Sequence, residues 1–143
     1  MGRILILDAF AILSFLRGEE GSAQVQAYLG AAQKRGRPIL AMSVVNAGEV
    51  FYIVQRGWGK DRAQEVLSFL LYQSGVRLYE ATLARALHAA DFKAQYAISL
   101  ADAFAAALTE ELGGILLTGD PEFRALEHRI PIEWLPTSPV ARA

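Results

Sequence analysis

The feature that most constrains this chain is an alternation: short apolar, β-rich runs, each followed by residues with helical spacing, and no polar face on the runs themselves. Arg3 to Leu7 predicts a first strand, and Phe10, Leu13, Phe15 and Leu16 predict a helix closing at Gly18. Pro38 to Met42 predicts a second strand, with Ser43 as N-cap of a helix over Val44 to Gln55. Val76 to Tyr79 and Ile115 to Thr118 predict two more strands, and Ile130 to Leu135 a last edge strand with Pro131 at its margin. Glu19 to Arg35, Trp58 to Gln73, Ala81 to Tyr96 and Ser99 to Leu112 have helical spacing, and a short helical turn is expected from Phe123 to Leu126. Strands with no solvated face need cover on both sides, which right-handed crossovers supply. The expected fold is therefore α/β: a three-layer sandwich whose central, mostly parallel sheet of four to five strands is covered by helices on both faces. In such sheets, ligands bind beyond the carboxyl ends of the strands.

A length of 143 residues suits one compact domain, expected over residues 1–136 with residues 137–143 as a C-terminal tail. Although 53% of the residues are hydrophobic, Asp8 interrupts the run from Ile4 to Leu16 and Asp102 the run from Tyr96 to Leu108. Neither reaches the roughly 20 apolar residues of a bilayer crossing, and the start carries no signal-peptide pattern, so a soluble, cytoplasmic protein is expected. With no cysteine and only two histidines, thiolate chemistry, zinc fingers and histidine-built metal sites are excluded, and any metal must use oxygen ligands. A net charge of −1 gives no general attraction to nucleic acid, so such a partner would need local basic clusters.

Four acids stand out by their surroundings. Asp8 is the only charge from Ile4 to Leu16, at the carboxyl end of the first strand. Glu49 is the only charge from Ile39 to Val54, three residues after Asn46 and so on nearly the same helix face. Asp102 is the only charge from Ala94 to Thr109, and Asp120 closes the fourth strand before Pro121. Desolvating a carboxylate costs several kcal/mol unless it is paired or coordinated, and no Lys or Arg lies in these runs. If the strand ends meet, the carboxylates repel one another and raise their pKa values until a divalent ion binds; oxygen-only ligands select Mg²⁺ or Mn²⁺. An ion so held suits activation of a water and stabilisation of a departing oxygen at a phosphodiester.

Each acid also has a plainer role open to it. Asp8 could cap the next helix, Ser99 and Asp102 have capping-box spacing, and Asp120 could be a turn residue before proline. Glu49 is harder to reduce in this way, because Gly48, Val50 and Phe51 flank it. His88 and His128 read as surface or packing residues, and Trp58 and Trp134 as core or interface aromatics. Arg56, Lys60 and Arg62 form one basic cluster and Lys34, Arg35 and Arg37 another; such clusters are usually solvated faces, with phosphate contact the sharper alternative.

Four segments together resemble the PIN-domain family, particularly its VapC toxins: Leu7-Asp8-Ala9-Phe10-Ala11-Ile12-Leu13, Ser43 through Asn46 to Glu49-Val50, Ile98-Ser99-Leu100-Ala101-Asp102-Ala103, and Leu117-Thr118-Gly119-Asp120-Pro121-Glu122-Phe123. They occur in family order across nearly the whole chain. The resemblance implies a PIN-like fold and an endoribonuclease using Mg²⁺ or Mn²⁺. It further implies the toxin of a type II toxin-antitoxin pair, often dimeric, whose acidic pocket is covered by a segment of its antitoxin. It carries Asp8, Glu49, Asp102 and Asp120 over as the catalytic and metal-binding quartet, with Thr118, Ser43 and Asn46 as supporting polar groups.

Two rivals remain at this point. A receiver-like phosphoacceptor domain also gathers acids around Mg²⁺, but it usually pairs acids after its first strand and has a late lysine, whereas Asp8 stands alone and no lysine follows Lys93. The other is a catalytically silent binding module of the same fold, whose acidic pocket receives a basic peptide.

Overall fold

In the computed structural model, which describes residues 3–137, five strands form one sheet: β1 (Ile4–Leu7), β2 (Ile39–Ser43), β3 (Val76–Tyr79), β4 (Ile115–Thr118) and β5 (Ile132–Trp134). Their order is β3-β2-β1-β4-β5, and every pairing is parallel, with Leu5 opposite Leu40 on one side and Ile115 on the other. Six helices connect them: α1 (Ala9–Arg17), α2 (Ser22–Arg35), α3 (Val44–Trp58), α4 (Lys60–Tyr72), α5 (Leu83–Gln95) and α6 (Leu100–Leu112). A 3₁₀ turn, Pro121–Leu126, follows β4.

The strand pleat sorts the core into two layers. Leu5, Leu7, Leu40, Met42 and Leu117 point to one face and pack with residues of α1 to α4. Ile6, Ala41 and Leu116, the intervening residues, point to the other and pack with α5, α6 and the 3₁₀ turn. Successive side chains of a strand face opposite sides, so strands apolar at every position need this double cover. The three-layer expectation holds, with the sheet wholly parallel.

Boundaries differ from expectation where local geometry intervenes. Gly18 takes a left-handed conformation (φ 63°) and Ser22 donates its N–H to the Glu19 carbonyl, so Glu19 and Glu20 form a turn before α2 instead of its first turn. Helix α3 continues past Gln55 to Trp58 and ends at Gly59, whose φ of 93° no L side chain adopts readily. The expected tail from residue 138 onward lies outside the described residues, and among those described no helix is long and apolar enough to cross a membrane.

What positions the site is the order of strands. The chain leaves β1 for β2 and β3 on one side, then returns to place β4 and β5 on the other. The crevice beyond the carboxyl ends of β1 and β4 is the switch point at which α/β sheets bind ligands.

Candidate functional site

Asp8 follows β1 directly and is 2% exposed. Its Oδ1 accepts the Ala11 N–H at 2.9 Å, which caps α1, while its Oδ2 accepts from the Thr118 hydroxyl at 2.5 Å. Thr118, the last residue of β4, is fully buried, and its Oγ1 also accepts the Asp120 N–H at 3.0 Å. One hydroxyl thus joins the ends of β1 and β4 and orders two of the acids. Asp120 in turn caps the 3₁₀ turn by accepting the Glu122 N–H at 2.9 Å.

Asp102 is 7% exposed, in the first turn of α6, where its N–H donates to Ser99 Oγ at 3.1 Å. Asn46, fully buried in the first turn of α3, donates from Nδ2 to the Ala101 carbonyl at 3.0 Å and so ties the start of α3 to the start of α6. Its Oδ1 has no hydrogen-bond partner, alone among the buried side-chain polar atoms of the described residues. Glu49, one turn on, is half-buried. Ser43 caps α3 by accepting the Val45 N–H at 3.1 Å and makes no hydrogen bond with any of the four acids, so the structure gives this expected supporting residue a local role.

Carboxylate oxygens of Asp102, Asp120 and Glu122 come within 4.8 Å of one another. Sequence reasoning missed Glu122. Its one signal is its place two residues after Asp120, and an exposed glutamate beside a proline turn reads as a solubilising residue. Asp8 and Glu49 stand outside that trio but within its electrostatic reach. Burial lifts the Asp8 carboxyl to about 7 against the opposing hydrogen bonds from Thr118 and Ala11, with the Asp120 and Glu49 charges adding to the rise. Burial, then the charges of Asp120 and Asp8 and the neighbouring Glu122, lift Asp102 to about 8. Glu49 and Asp120 are raised too, chiefly by burial; the Asn46 amide opposes the first shift and the Glu122 N–H the second.

None of the four acids forms an ion pair among the described residues. The group is therefore a set of hard oxygens, short of positive charge, in which burial and neighbouring carboxylates lift Asp8 and Asp102 to the neutral range. Such oxygen donors suit a hard divalent cation. The plainer roles also hold: Asp8 and Asp120 cap helical turns and Asp102 is half of a capping pair, which fixes the backbone at each acid.

The remaining sequence expectations are simpler. His88 bonds Glu110 at 2.7 Å and His128 bonds Tyr96 at 3.3 Å, as packing and surface partners. Trp134 donates its indole N–H to Glu127, whereas Trp58 is 48% exposed and is no core residue. Of the basic clusters, Arg62 pairs with Glu65, Arg56 lies over the Tyr52 ring, and Arg35 and Arg37 line a surface hollow with Arg3.

Comparison with known proteins places this geometry. No curated protein matches the chain in sequence. VapC20 of Mycobacterium tuberculosis, described as a sarcin-ricin loop cleaving toxin, superposes with a TM-score of 0.70 at 20% identity, over 92% of this chain and 99% of that one. DNA-bound VapBC from Salmonella typhimurium gives 0.69 at 18%, over 93% and 98%. FitAcB from Neisseria gonorrhoeae gives 0.64 at 18%, over 90% and 95%. At these identities the likeness establishes a common fold. The sequence model of the PIN domain matches residues 5–129, a span that contains all four acids, Thr118, Asn46 and Glu122. This chain belongs to the PIN domain family.

Proposed function

We propose that this PIN domain is a metal-dependent endoribonuclease acting in the cytoplasm as the toxin of a VapBC-like pair. The observation that carries the reading is the acidic crevice: Asp8, Glu49, Asp102 and Asp120 gathered at the switch point, with no Lys or Arg paired to them among the described residues, and with two carboxyls lifted to about 7 and about 8.

Asp102, Asp120 and Glu122 are the nearest set for Mg²⁺ or Mn²⁺, with Asp8 and Glu49 completing the acidic pocket. When bound, such an ion lowers the pKa of water and stabilises charge on the oxygens of a phosphodiester. The chain's own residues supply the frame. Thr118 holds Asp8 and Asp120 in fixed relation, Asn46 holds α3 against the start of α6, and the capped turns prevent the carboxylates from swinging apart. Hydrolysis would break the bond to the 3′ oxygen and leave a 5′ phosphate on the product.

The partner reading is an antitoxin that covers the pocket and a second copy of this chain in a homodimer. The antitoxin part is supported by neighbours of the same fold described as VapBC assemblies and as a toxin-antitoxin complex. The receiver-like alternative falls with the family assignment. The silent-module alternative is answered by experiment: purified protein incubated with RNA should cleave it with Mg²⁺ or Mn²⁺ and stop on chelation. If Asp8→Asn and Asp102→Asn cleave as fast as the unaltered chain, the site assignment is wrong. A small reading frame beside this one, whose product suppresses the cleavage, supports the toxin role.

A further inference from the structure

A hollow of about 500 Å³ opens between α1, the turn before α2, the loop after β4 and Pro136 and Thr137 beyond β5. It lies in the size range of small-molecule sites, about 300 to 1,000 Å³. The acids do not line it, but their chain neighbours do: Phe10 is two residues past Asp8, and Gly119 and Pro121 bracket Asp120. Phe10 is held there by a close approach, because a Cβ on Gly119 would meet its ring Cε1 and would lie 2.9 Å from Cζ. Leu13 extends the apolar wall, and the rim is charged, with Arg17 at the end of α1 and Glu19 and Glu20 in the next turn. Arg17 forms no ion pair among the described residues.

We infer that this hollow receives the nucleobase next to the scissile phosphate, stacked against Phe10, and that it favours guanine. The inference rests on the ribonuclease reading above and names the part of the substrate that reading leaves open. A phosphodiester held at the acids carries a nucleoside on each side, and the hollow starts at the residues that flank those acids. Single-stranded RNA is read by stacking of unpaired bases on aromatic side chains and by hydrogen bonds to their edges. An aromatic and aliphatic wall beside a carboxylate rim suits a base that is flat and presents N–H donors. Guanine offers two adjacent donors, the ring N1–H and the exocyclic amine, to a carboxylate acceptor; adenine and cytosine offer an amine alone, and uracil a single imide N–H. Arg17 has the planar guanidinium that suits a flanking phosphate.

The test uses short single-stranded RNAs with one cleavage position, in which the nucleotides on each side are varied in turn among guanosine, inosine, uridine and an abasic residue. At one of the two positions kcat/KM should be at least about five-fold higher for guanosine than for uridine, with inosine, which lacks the exocyclic amine, in between. In the double variant Glu19→Gln, Glu20→Gln that ratio should collapse toward one, and each variant's own ratio corrects for any general loss of activity. Phe10→Leu, which keeps the apolar packing, should lower the advantage of any base over the abasic residue. Binding of the same RNAs to the unaltered chain with Ca²⁺ in place of Mg²⁺, followed by fluorescence anisotropy, gives a readout that does not depend on cleavage. An unaltered chain that cleaves all of these RNAs equally well, or a preference untouched by the glutamate and Phe10 variants, overturns the base site and leaves the ribonuclease intact. Variants that change only affinity for an antitoxin peptide overturn it likewise. A chain that cleaves no RNA and, with Ca²⁺, shows no base preference in binding overturns both.

Discussion

Asp8 and Asp102 bind a proton far more tightly in the folded chain than in the unfolded one, where carboxyls titrate near 3.8. Between about pH 4 and pH 8 the native state therefore holds more protons than the unfolded state, and stability must fall as pH rises, by up to ~1.4 kcal/mol per pH unit for each proton of difference. Denaturant melts of metal-free protein should show greatest stability near the acid end of that window and a decline through pH 7 to 8. Mg²⁺ or Mn²⁺ binds the deprotonated form, so it should restore more stability at pH 8 than at pH 5. Asp102→Asn removes one of the two groups and relieves the repulsion. It should flatten the decline, stabilise metal-free protein at pH 8 by ~1 kcal/mol and abolish the metal-dependent shift. A pH profile unchanged by the substitution would mean that Asp102 is not the group responsible. Thr118 sits between the acids in another sense: Thr118→Val takes a donor from Asp8 in buried surroundings and an acceptor from the Asp120 N–H in partly buried ones. That change should cost ~1–3 kcal/mol and push the Asp8 carboxyl further up, since the lost hydrogen bond favoured its charged form.

At the scale of elements, the sheet tolerates no bulk where β4 begins. A Cβ on Gly114 would lie 2.7 Å from the Ile4 carbonyl oxygen and would run into Ile6, so Gly114→Ala forces apart the central pair of strands. A loss of ~1–3 kcal/mol is expected in thermal or denaturant melts. Gly30 lies inside α2 with open space around its Cβ position, and Gly30→Ala should instead stabilise by ~0.5–1 kcal/mol. The contrast between two glycines shows which structural features a sequence exposes. Strand cores such as Ile4 to Leu7 and caps such as Ser43 and Ser99 were legible because the signal lies within a few residues of its effect. The gathering of Asp8, Asp102 and Asp120 was legible one step later, since each falls at an element end and a parallel sheet brings such ends together. Glu122 and the Gly119–Phe10 contact were not: an exposed glutamate carries no local sign that Asp102 folds back beside it, and nothing near Gly119 in the chain reports the ring of Phe10. The close of α3 at Trp58 turned on the dihedral of Gly59, which composition does not specify.

Taken as a whole molecule, the chain carries a net charge of −1 and gathers acids in the crevice proposed to meet a polyanion. Several of its arginines are engaged elsewhere: Arg3 with Glu133, Arg85 with Glu111, and Arg129 with Glu110 and Asp91. No Lys or Arg among the described residues pairs with the acids of the crevice, so release of counterions there should contribute little to RNA binding and the crevice ion should contribute much. For single strands log K falls with log salt by about 0.7 for each phosphate neutralised, and contact with no more than about four phosphates limits the slope to about −3. Titrating a labelled single-stranded RNA into the Asp120→Asn variant and the unaltered chain, with Ca²⁺ in place of Mg²⁺ to suppress turnover, measures that slope directly. The unaltered chain should show a shallow salt dependence and a sharp loss of affinity on chelation, and the variant should bind weakly with either treatment. A slope much steeper than −3, with affinity indifferent to chelation, would place RNA on a basic surface remote from the acids and leave the crevice without its substrate.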